Sequence, residues 1–350
     1  MTVALSVLDL SPIPSGATAI QALHNTLDLA RAVDTMGYTR YWMSEHHNST
    51  GLASAAPEIL IGHVADVTTR IRVGSGGIML PNHTALKVVE TFRLLAALHP
   101  DRIDLGIGRA PGTDQLTAFA LRRSKEALMA DDFPEQLAEL LAFSTGHFPD
   151  GHPFQAITAI PAEIDLPPIW LLGSSDYSAQ VAAALGLGFA FAHHINPRAA
   201  TTVMRYYHDH FVPSAQLQQP HAILTVSAVC ADTEAQAETL ASSLDLMFLQ
   251  LQTGRLGALP SPAEAAAYPY TPAERAQVRA NQSRRLVGDP ASVQAQLNTL
   301  ATQTQADEIM ITTMVHDHAA RVHSYELLAD VFELQGNSQQ QTAVPVAMGV

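Results

Sequence analysis

The sequence predicts an α/β protein in which a parallel (β/α)8 barrel forms a single domain. Eight short apolar segments of strand type alternate with longer segments of helical periodicity, and repeated strand–helix order gives a parallel sheet with right-handed crossovers. These short segments are continuously apolar rather than alternating, which is typical of strands covered on both faces. With 350 residues the chain is long enough for eight units, and a doubly wound open sheet is the competing architecture.

The strand candidates leave room for a helix between most of them. In chain order they are residues 3–10, 40–43, 71–80, 102–107, 169–172, 188–192, 222–231 and 308–314. Helices are predicted where apolar residues recur at helical spacing, namely from Ile20 onward, over 57–68, 85–98 and 177–185, and up to Phe332. Pro57 and the Asp289-Pro290 pair have the residue types that begin helices.

Two stretches interrupt the simple repeat, and a third ends it. Residues 131–165 follow the fourth strand and combine a helical piece over 133–143 with a loop rich in Pro, Gly and His. Residues 253–281 follow the seventh strand and carry four prolines and two glycines. Because insertions after barrel strands lie over the active face, this second stretch is a candidate lid, the alternative being a surface insertion without a role in catalysis. The barrel domain is therefore predicted over residues 1–334, and the polar, Gln-rich residues 335–350 are predicted to be a disordered tail.

Composition excludes several classes of function. The 19 Lys and Arg against 33 Asp and Glu give a net charge of −14, which disfavours binding to nucleic acid or to an anionic membrane surface. A single cysteine, Cys230, excludes a disulfide framework, a Cys-based zinc site or an iron–sulfur cluster within one chain. The longest apolar run, residues 181–192, is too short to span a bilayer, and residues 1–16 do not resemble a secretory signal. A cytoplasmic globular protein is expected.

The second strand ends in Glu45-His46-His47, and in a barrel such strand ends carry the chemistry. A histidine pKa near neutrality suits proton transfer, although a hydrogen-bonded histidine at a strand end can also be purely structural. A zinc site would need three or four convergent ligands, and His83 with the adjacent His193 and His194 are further candidates. No HExxH motif is present, and neighbouring histidines on an extended segment diverge, so no metal site is predicted.

The third and fourth strands end in glycine-rich turns. Gly74, Gly76 and Gly77 lie where the third strand should continue, which indicates either a bulge or a flat ligand against bare backbone. The fourth strand leads into Gly106-Ile107-Gly108-Arg109-Ala110-Pro111, which begins like the dinucleotide fingerprint but has Pro111 at its third glycine position. It is therefore not a Rossmann turn, and Arg109 is placed to bind a phosphate oxygen.

The fifth strand ends in Gly173-Ser174-Ser175, followed by a predicted helix that carries Ser178 in its first turn. Helix N-termini bind anions through unpaired N–H groups, and serine hydroxyls add donors, although Ser and Asp also cap helices without any ligand. Together with Arg109 from the neighbouring strand, this turn favours a phosphate site.

Four motifs in this order resemble those of the bacterial luciferase-like flavin monooxygenases, in particular the single-chain branch. The motifs are Glu45-His46-His47, GSGGIMLP at 74–81, RIDLGIGRAPGTD at 102–114 and LGSSDYS at 172–178. The resemblance runs from about Leu5 to Phe332 and implies a (β/α)8 barrel that uses FMN.

The resemblance also implies roles for individual residues. His46 is the implied catalytic base or proton donor near the flavin, and a non-prolyl cis peptide is implied between Gly76 and Gly77. The long loop of the family matches 253–281. The implied cofactor-binding residues are Gly76, Gly77, Arg109, Ala110, Pro111, Gly173, Ser174, Ser175 and Ser178. An acidic residue replaces Ser174 in luciferase itself, so the details of that turn differ here.

The activity implied by the resemblance is oxidation of a small organic substrate by reduced FMN and O2. No second nucleotide motif is visible, so a separate flavin reductase is expected to supply the reduced flavin, and a homodimer is the expected assembly. One alternative is a deazaflavin (F420)-dependent hydride-transferring reductase, whose polyanionic cofactor requires more cations at the mouth than Arg109 alone. The other is a non-catalytic flavin-binding protein on the same barrel.

Overall fold

The computed structural model describes residues 3–124, 126, 132–255 and 257–336, and it confirms the parallel (β/α)8 barrel. The strands are β1 (Ala4–Asp9), β2 (Arg40–Met43), β3 (Arg72–Ser75), β4 (Ile78–Met79), β5 (Ile103–Gly108), β6 (Ile169–Gly173), β7 (Gly188–Ala192), β8 (Ala222–Cys230), β9 (Arg285–Gly288) and β10 (Glu308–Thr312). Parallel pairing runs in the order β10-β1-β2-β3-β5-β6-β7-β8, and a further pairing of β8 with β10 closes the barrel.

The helices cover the outside of the barrel. They are α1 (Ala19–Met36), α2 (Pro57–Val67), α3 (Ala85–Leu98), α4 (Gln115–Arg122), α5 (Phe133–Thr145), α6 (Asp176–Leu185), α7 (Ala200–Asp209), α8 (Glu234–Gln252), α9 (Pro262–Ala267), α10 (Pro272–Asn281), α11 (Pro290–Thr304) and α12 (His318–Val331). The predicted helix starts at Pro57 and at Asp289-Pro290 are confirmed, and the Asp289 side chain accepts a hydrogen bond from the Ser292 N–H. None of the described helices combines the length and the apolar character that crossing a bilayer requires.

The barrel interior changes from charged to apolar toward the mouth. At the N-terminal ends of the strands, buried Arg40 pairs with Asp104 at 2.8 Å and with Glu308 at 3.0 Å. One layer higher, the Trp42 and Trp170 rings meet edge to face with centroids 5.6 Å apart. Because a buried charge needs a compensating partner, this closed ion network favours a stable base and leaves the opposite end of the barrel for a ligand.

The third predicted strand, 71–80, is split into two. It forms β3 and β4, separated by a cis peptide bond between Gly76 and Gly77, as the family resemblance implies. A short strand, β9, was not predicted; it pairs with the C-terminal half of β8 outside the closed barrel. Its sequence, RLVG, has only two apolar residues, in contrast to the equally short β2, RYWM, so hydrophobicity gives little signal for it.

The first insertion contains the helix predicted over 133–143, and the second contains more regular structure than expected. In the first, α5 packs against α3, and the buried Arg93 guanidinium donates to the Ala159 and Ser144 carbonyls at 2.7 and 3.0 Å. In the second, α9 and α10 begin with capping boxes in which Ser261 pairs with Glu264 and Thr271 with Glu274. The Ser-x-x-Glu and Thr-x-x-Glu spacings are visible in the sequence. In each of them the second residue is the Pro that starts the helix.

The second insertion is fastened beside the mouth of the barrel. The Leu259 N–H donates to the Ile13 carbonyl and the Leu259 carbonyl accepts from the Ser15 N–H, both at 2.8 Å, so the insertion meets the loop after β1. None of the described residues of 253–281 lines the cavity discussed below, and its role as a lid stays a prediction. Of the predicted tail, Gln335 accepts a hydrogen bond from Arg70 at 2.9 Å, and residues 337–350 lie outside the described residues.

Candidate active site

A cavity of about 290 Å³ opens at the C-terminal ends of the barrel strands. Most of the residues that the sequence singled out contribute to its walls, namely His46, Gly76, Arg109, Ala110, Gly173, Ser174, Ser175 and Ser178. Their positions follow from barrel topology, because residues just after successive parallel strands converge at one end. The remaining two, Gly77 and Pro111, lie beside the cavity without lining it: the Pro111 carbonyl accepts a hydrogen bond from Asn82 at 2.9 Å.

His46 lies on the cavity wall after β2. Its backbone N–H donates to the Ser54 carbonyl at 2.9 Å, and its Nδ1 is 3.0 Å from Ser44 Oγ. Burial lowers the pKa of His46, with Glu45 opposing this effect and His47 and His194 reinforcing it. At neutral pH the imidazole is therefore uncharged and can accept a proton inside the cavity; it can donate one only after it has been protonated.

The side chain of Glu45 points away from the cavity and connects two loops. Its buried carboxylate lies 2.8 Å from His47 Nε2, 3.0 Å from His83 Nε2 and 2.8 Å from the Met79 N–H that donates to it. Burial raises the pKa of Glu45, but the hydrogen bonds and charge of its partners outweigh burial and lower it overall. Likewise, burial lowers the pKa of His83, but Glu45 outweighs this and raises it. The pair therefore holds the loops after β2 and β4 together beside His46.

The two adjacent histidines after β7 diverge as expected. His194 lines the cavity, and its Nδ1 is 3.1 Å from the Thr225 carbonyl, which can only accept a hydrogen bond. Burial lowers the pKa of His194, so its ring is neutral, carries its proton on Nδ1 and leaves Nε2 as an acceptor. His193 turns outward toward a groove beside α11, and burial lowers its pKa to about 4. Across the described residues, no three His, Cys, Asp or Glu side chains are grouped so that they could hold a metal ion.

Bare backbone forms part of the wall on the β4 side. A Cβ atom on Gly76 would come within 2.5 Å of Leu8 Cδ1, and one on Gly77 within 2.8 Å of the Gly106 carbonyl oxygen. The backbone of Gly106 therefore excludes a side chain at Gly77, whereas one at Gly76 would require Leu8 to move. The side chains around Gly76 are apolar, with Leu8, Leu10 and Met79 lining the same wall. This combination suits a flat, largely apolar ring.

The adjoining wall, after β5 and β6, carries unused donors of the kind that bind a phosphate. The exposed Arg109 guanidinium lies over the ring of Tyr177, 4.5 Å from its centroid, and no carboxylate of the described chain pairs with it. Ser175 is the N-cap of α6, but its side chain makes no capping hydrogen bond. Ser178 is instead buried, and its hydroxyl donates to the Leu172 carbonyl at 3.0 Å. Arg109, Ser174 and Ser175 thus surround a helix N-terminus with unused donors.

Two residues of the site were not predicted from the sequence. Tyr177 was quoted only as part of a motif, yet its ring supports Arg109. His194 was considered only as a metal ligand, although it lines the cavity with His46. The sequence did contain a signal for His194, because a histidine directly after a barrel strand is at the active face.

The barrel thus brings an unpaired cation, serine donors, a bare-backbone wall and neutral histidines together in one cavity of the described chain. Comparison with known proteins identifies the family. The model of the luciferase-like monooxygenases matches residues 3–308, and the chain belongs to this family. Over 332 residues it is 45% identical to a luciferase-like monooxygenase of Escherichia coli, covering 95% of this chain and 98% of that protein. It is also 35% identical over 328 residues to the N-acetyl-S-alkylcysteine monooxygenase of Bacillus subtilis, covering 93% and 97%.

Solved structures agree with this assignment. The crystal structure of apo-MsnO8 is 39% identical in sequence and superposes with a TM-score of 0.87 over 95% of this chain and 98% of that one. The oxygenating constituent of 3,6-diketocamphane monooxygenase from Pseudomonas putida, a type II Baeyer–Villiger enzyme in complex with FMN, shares the fold at 17% identity and a TM-score of 0.68, covering 94% and 97%.

Proposed function

We propose that this protein is a monooxygenase that uses reduced FMN and O2 to insert one oxygen atom into a small organic substrate. The observation that carries the proposal is Arg109, a cation without a carboxylate partner in the described chain, beside the N-terminus of α6 at the edge of the cavity. Such a donor set matches a phosphate dianion, and FMN ends in one.

Two different parts of the cavity would each hold one end of FMN. Arg109, Ser174 and Ser175 would hold the phosphate, together with the backbone at Ala110 and Gly173. Gly76 would lie against the isoalloxazine ring, with Gly77 behind it as the position that allows the backbone to pass close to Gly106. Pro111 would act indirectly, because its carbonyl is tied to Asn82 in the loop after β4.

Bound reduced FMN would supply the electrons with which O2 gives one oxygen atom to the substrate and one to water. The protein would keep water away from this reaction through the apolar walls of Leu8, Leu10 and Leu172. His46, held through Ser44 and Ser54, would accept or donate a proton at an imidazole nitrogen. In its neutral state at pH 7 it would act first as the proton acceptor, and the imidazolium that forms would then be the donor.

The proposed partners follow from the same site. No second nucleotide motif is visible in the sequence, so a separate flavin reductase is proposed to deliver reduced FMN. We place the enzyme in the cytoplasm, in line with its composition. A homodimer is proposed through α2 and α3, which pack against each other and expose Ile59, Leu94 and Leu98 at 61%, 50% and 72%.

An anaerobic titration with reduced FMN, followed by admission of air and a spectral scan, tests the function. Tight binding and a transient oxygenated flavin species are expected. A protein that binds F420 but neither form of FMN would instead be a hydride-transferring reductase. A protein that binds FMN but shows no transient species and no turnover would be a flavin-binding protein.

A further inference from the structure

Arg109 is the only charged side chain on the cavity wall among the residues that the structure describes. The other polar lining groups are hydroxyls and the two histidines, His46 and His194. Burial lowers the pKa of both imidazoles, so neither provides a positive charge near neutral pH. In addition, the Glu45 carboxylate lies directly behind His46 and influences it electrostatically. An anion inside the cavity would therefore find one cation and one nearby negative charge.

The proposed cofactor uses that cation. Arg109, Ser174 and Gly76 all belong to the half of the mouth formed by β3 to β6. Once a phosphate occupies Arg109, the rest of the described cavity contains no counter-charge for a second anion. A buried carboxylate or sulfonate without a partner is strongly disfavoured.

The other half of the mouth, formed by β7, β8 and β10, offers hydrogen bonds without charge. Thr225 lines the cavity, and Ser227 lies two residues further along the same face of β8. Ser227 pairs in register with Thr312 of β10, which shares its strand face with the interior residue Met310. Ser227 and Thr312 lie just beyond the residues that line the cavity. Their Oγ and Oγ1 atoms are buried, and neither has a hydrogen-bond partner within the described chain.

His194 completes this half. Its proton on Nδ1 is engaged by the Thr225 carbonyl, so Nε2 can accept a hydrogen bond. The unused groups are thus an imidazole acceptor and two hydroxyls that can donate or accept. Buried polar groups in native proteins are nearly always paired, so these atoms can take a partner from a bound molecule or from water that it displaces.

From these observations we infer that the organic substrate is an uncharged, largely apolar molecule whose polar group hydrogen-bonds on the β7–β8–β10 side, to His194, Ser227 and Thr312. This inference rests on the proposed function, since it assigns Arg109 to FMN. The apolar part of the substrate would contact Leu8, Leu10 and Ile195. The inference distinguishes this chain from an enzyme whose substrate carries a carboxylate, such as an N-acetyl-S-alkylcysteine.

A matched pair of probes tests the charge preference. Octanamide and octanoate have nearly the same shape and differ in charge, and their binding to the FMN-saturated protein is measured from the visible spectrum of the flavin and from the melting temperature. Octanamide is expected to bind at least about tenfold more tightly. Octanoate binding equally or more tightly would overturn the inference, as would binding of neither probe up to the solubility limit of octanamide.

A preliminary FMN titration distinguishes failure of the proposed function from failure of the proposed substrate class. Failure of FMN to bind contradicts the proposed function, whereas FMN binding with a preference for octanoate contradicts only the substrate class.

A variant at the rim tests the cause of the preference. Ile195 lines the cavity and is 54% exposed, so Ile195→Arg adds a cation at little cost to the fold, and Ile195→Met is its uncharged control. In Ile195→Arg the ratio of octanamide to octanoate affinity is expected to fall at least about tenfold relative to Ile195→Met. An unchanged ratio would show that the missing counter-charge does not set the preference.

A second variant tests the polar side. The double variant Ser227→Ala with Thr312→Val removes both unpaired hydroxyls while keeping the volume nearly constant. It should weaken octanamide about tenfold and leave FMN affinity unchanged, because one to two neutral hydrogen bonds are lost. Unchanged octanamide binding would remove β8 and β10 from the substrate site.

Discussion

The guanidinium of Arg109 rests on the aromatic face of Tyr177, with Cζ 4.5 Å from the ring centroid. Arg109 follows β5, and Tyr177 belongs to the first turn of α6, after β6. The stacking holds an exposed cation over a helix N-terminus, so that charge, dipole and unused serine donors act at one place. The ends of the neighbouring strands β5 and β6 therefore form one surface that is suited to an anion.

Replacing Arg109 is expected to distinguish the contribution of the flavin phosphate to binding from that of the ring. In Arg109→Ala, FMN affinity should fall about 10- to 100-fold, because a charge-assisted hydrogen bond contributes about 1.5–3 kcal/mol. Riboflavin, which lacks the phosphate, should lose less than about threefold. Both affinities are measured by fluorescence titration, with Arg31→Ala on the exposed face of α1 as the control. Equal losses for FMN and riboflavin would place the phosphate elsewhere.

Removing the imidazole of His46 should affect chemistry more than binding. His46→Ala is expected to keep FMN affinity within about threefold and to lose about 10²- to 10⁴-fold in turnover, the usual contribution of a positioned acid or base. Turnover is followed by product formation with a reductase-coupled assay, and His24→Ala on exposed α1 serves as the control. Wild-type turnover in His46→Ala would exclude His46 from proton transfer.

Glu45 is expected to act as a positioning residue for the mouth. Glu45→Gln removes the charge that His83 and His47 share, and the free energy of unfolding should fall by about 1–3 kcal/mol. FMN affinity should decrease as well, since the loops after β2 and β4 lose their common contact. Urea unfolding and FMN titration measure the two effects, and Glu163→Gln on the surface is the control. A variant with unaltered stability would contradict the role given to this carboxylate.

His193 should make the fold sensitive to acid. Its pKa is lowered by burial from 6.5 in the unfolded chain to about 4 in the folded protein, so the folded state prefers the neutral ring. Its contribution to stability is complete above pH 6.5 and is lost as the pH falls toward 4, because the unfolded chain binds the proton first. As the pH falls from 6.5 to about 4, the free energy of unfolding should decrease less in His193→Asn than in the wild type, as measured by urea titrations at several pH values. Parallel curves would mean that His193 is solvated in the folded protein.

The homodimer proposed through α2 and α3 depends on their exposed apolar side chains, Ile59 on α2 with Leu94 and Leu98 on α3. Leu94→Glu with Leu98→Glu places two charges on the exposed face of α3 and should convert the dimer into a monomer. Light scattering coupled to size exclusion measures the mass, and Leu185→Glu on α6, a partly exposed leucine outside this face, is the control. A mass that is unchanged by the double variant, or a monomeric wild type, would contradict this interface.

Much of the fold was predictable because continuous apolar strands and helical periodicity are local properties of the sequence. The eight barrel strands, the break at Gly76-Gly77 and the helix start at Pro57 were all found in this way. The strand β9 was not predicted because only two of its four residues are apolar and it is defined by its pairing with β8. Helices α9 and α10 were not predicted, although their Ser-x-x-Glu and Thr-x-x-Glu capping signals are present in the sequence.

The sequence by itself determined the class of fold, the family and the set of strand ends that carry polar and glycine residues, because strand order in a parallel barrel brings those ends to one face. Only the tertiary structure decided which way each side chain turns. It directs His46 and His194 into the cavity, and His47 and His193 away from it. It also brings Tyr177 beneath Arg109 and leaves that cation without an acidic partner in the described chain. These relationships depend on packing between residues distant in sequence, and no local pattern encodes them.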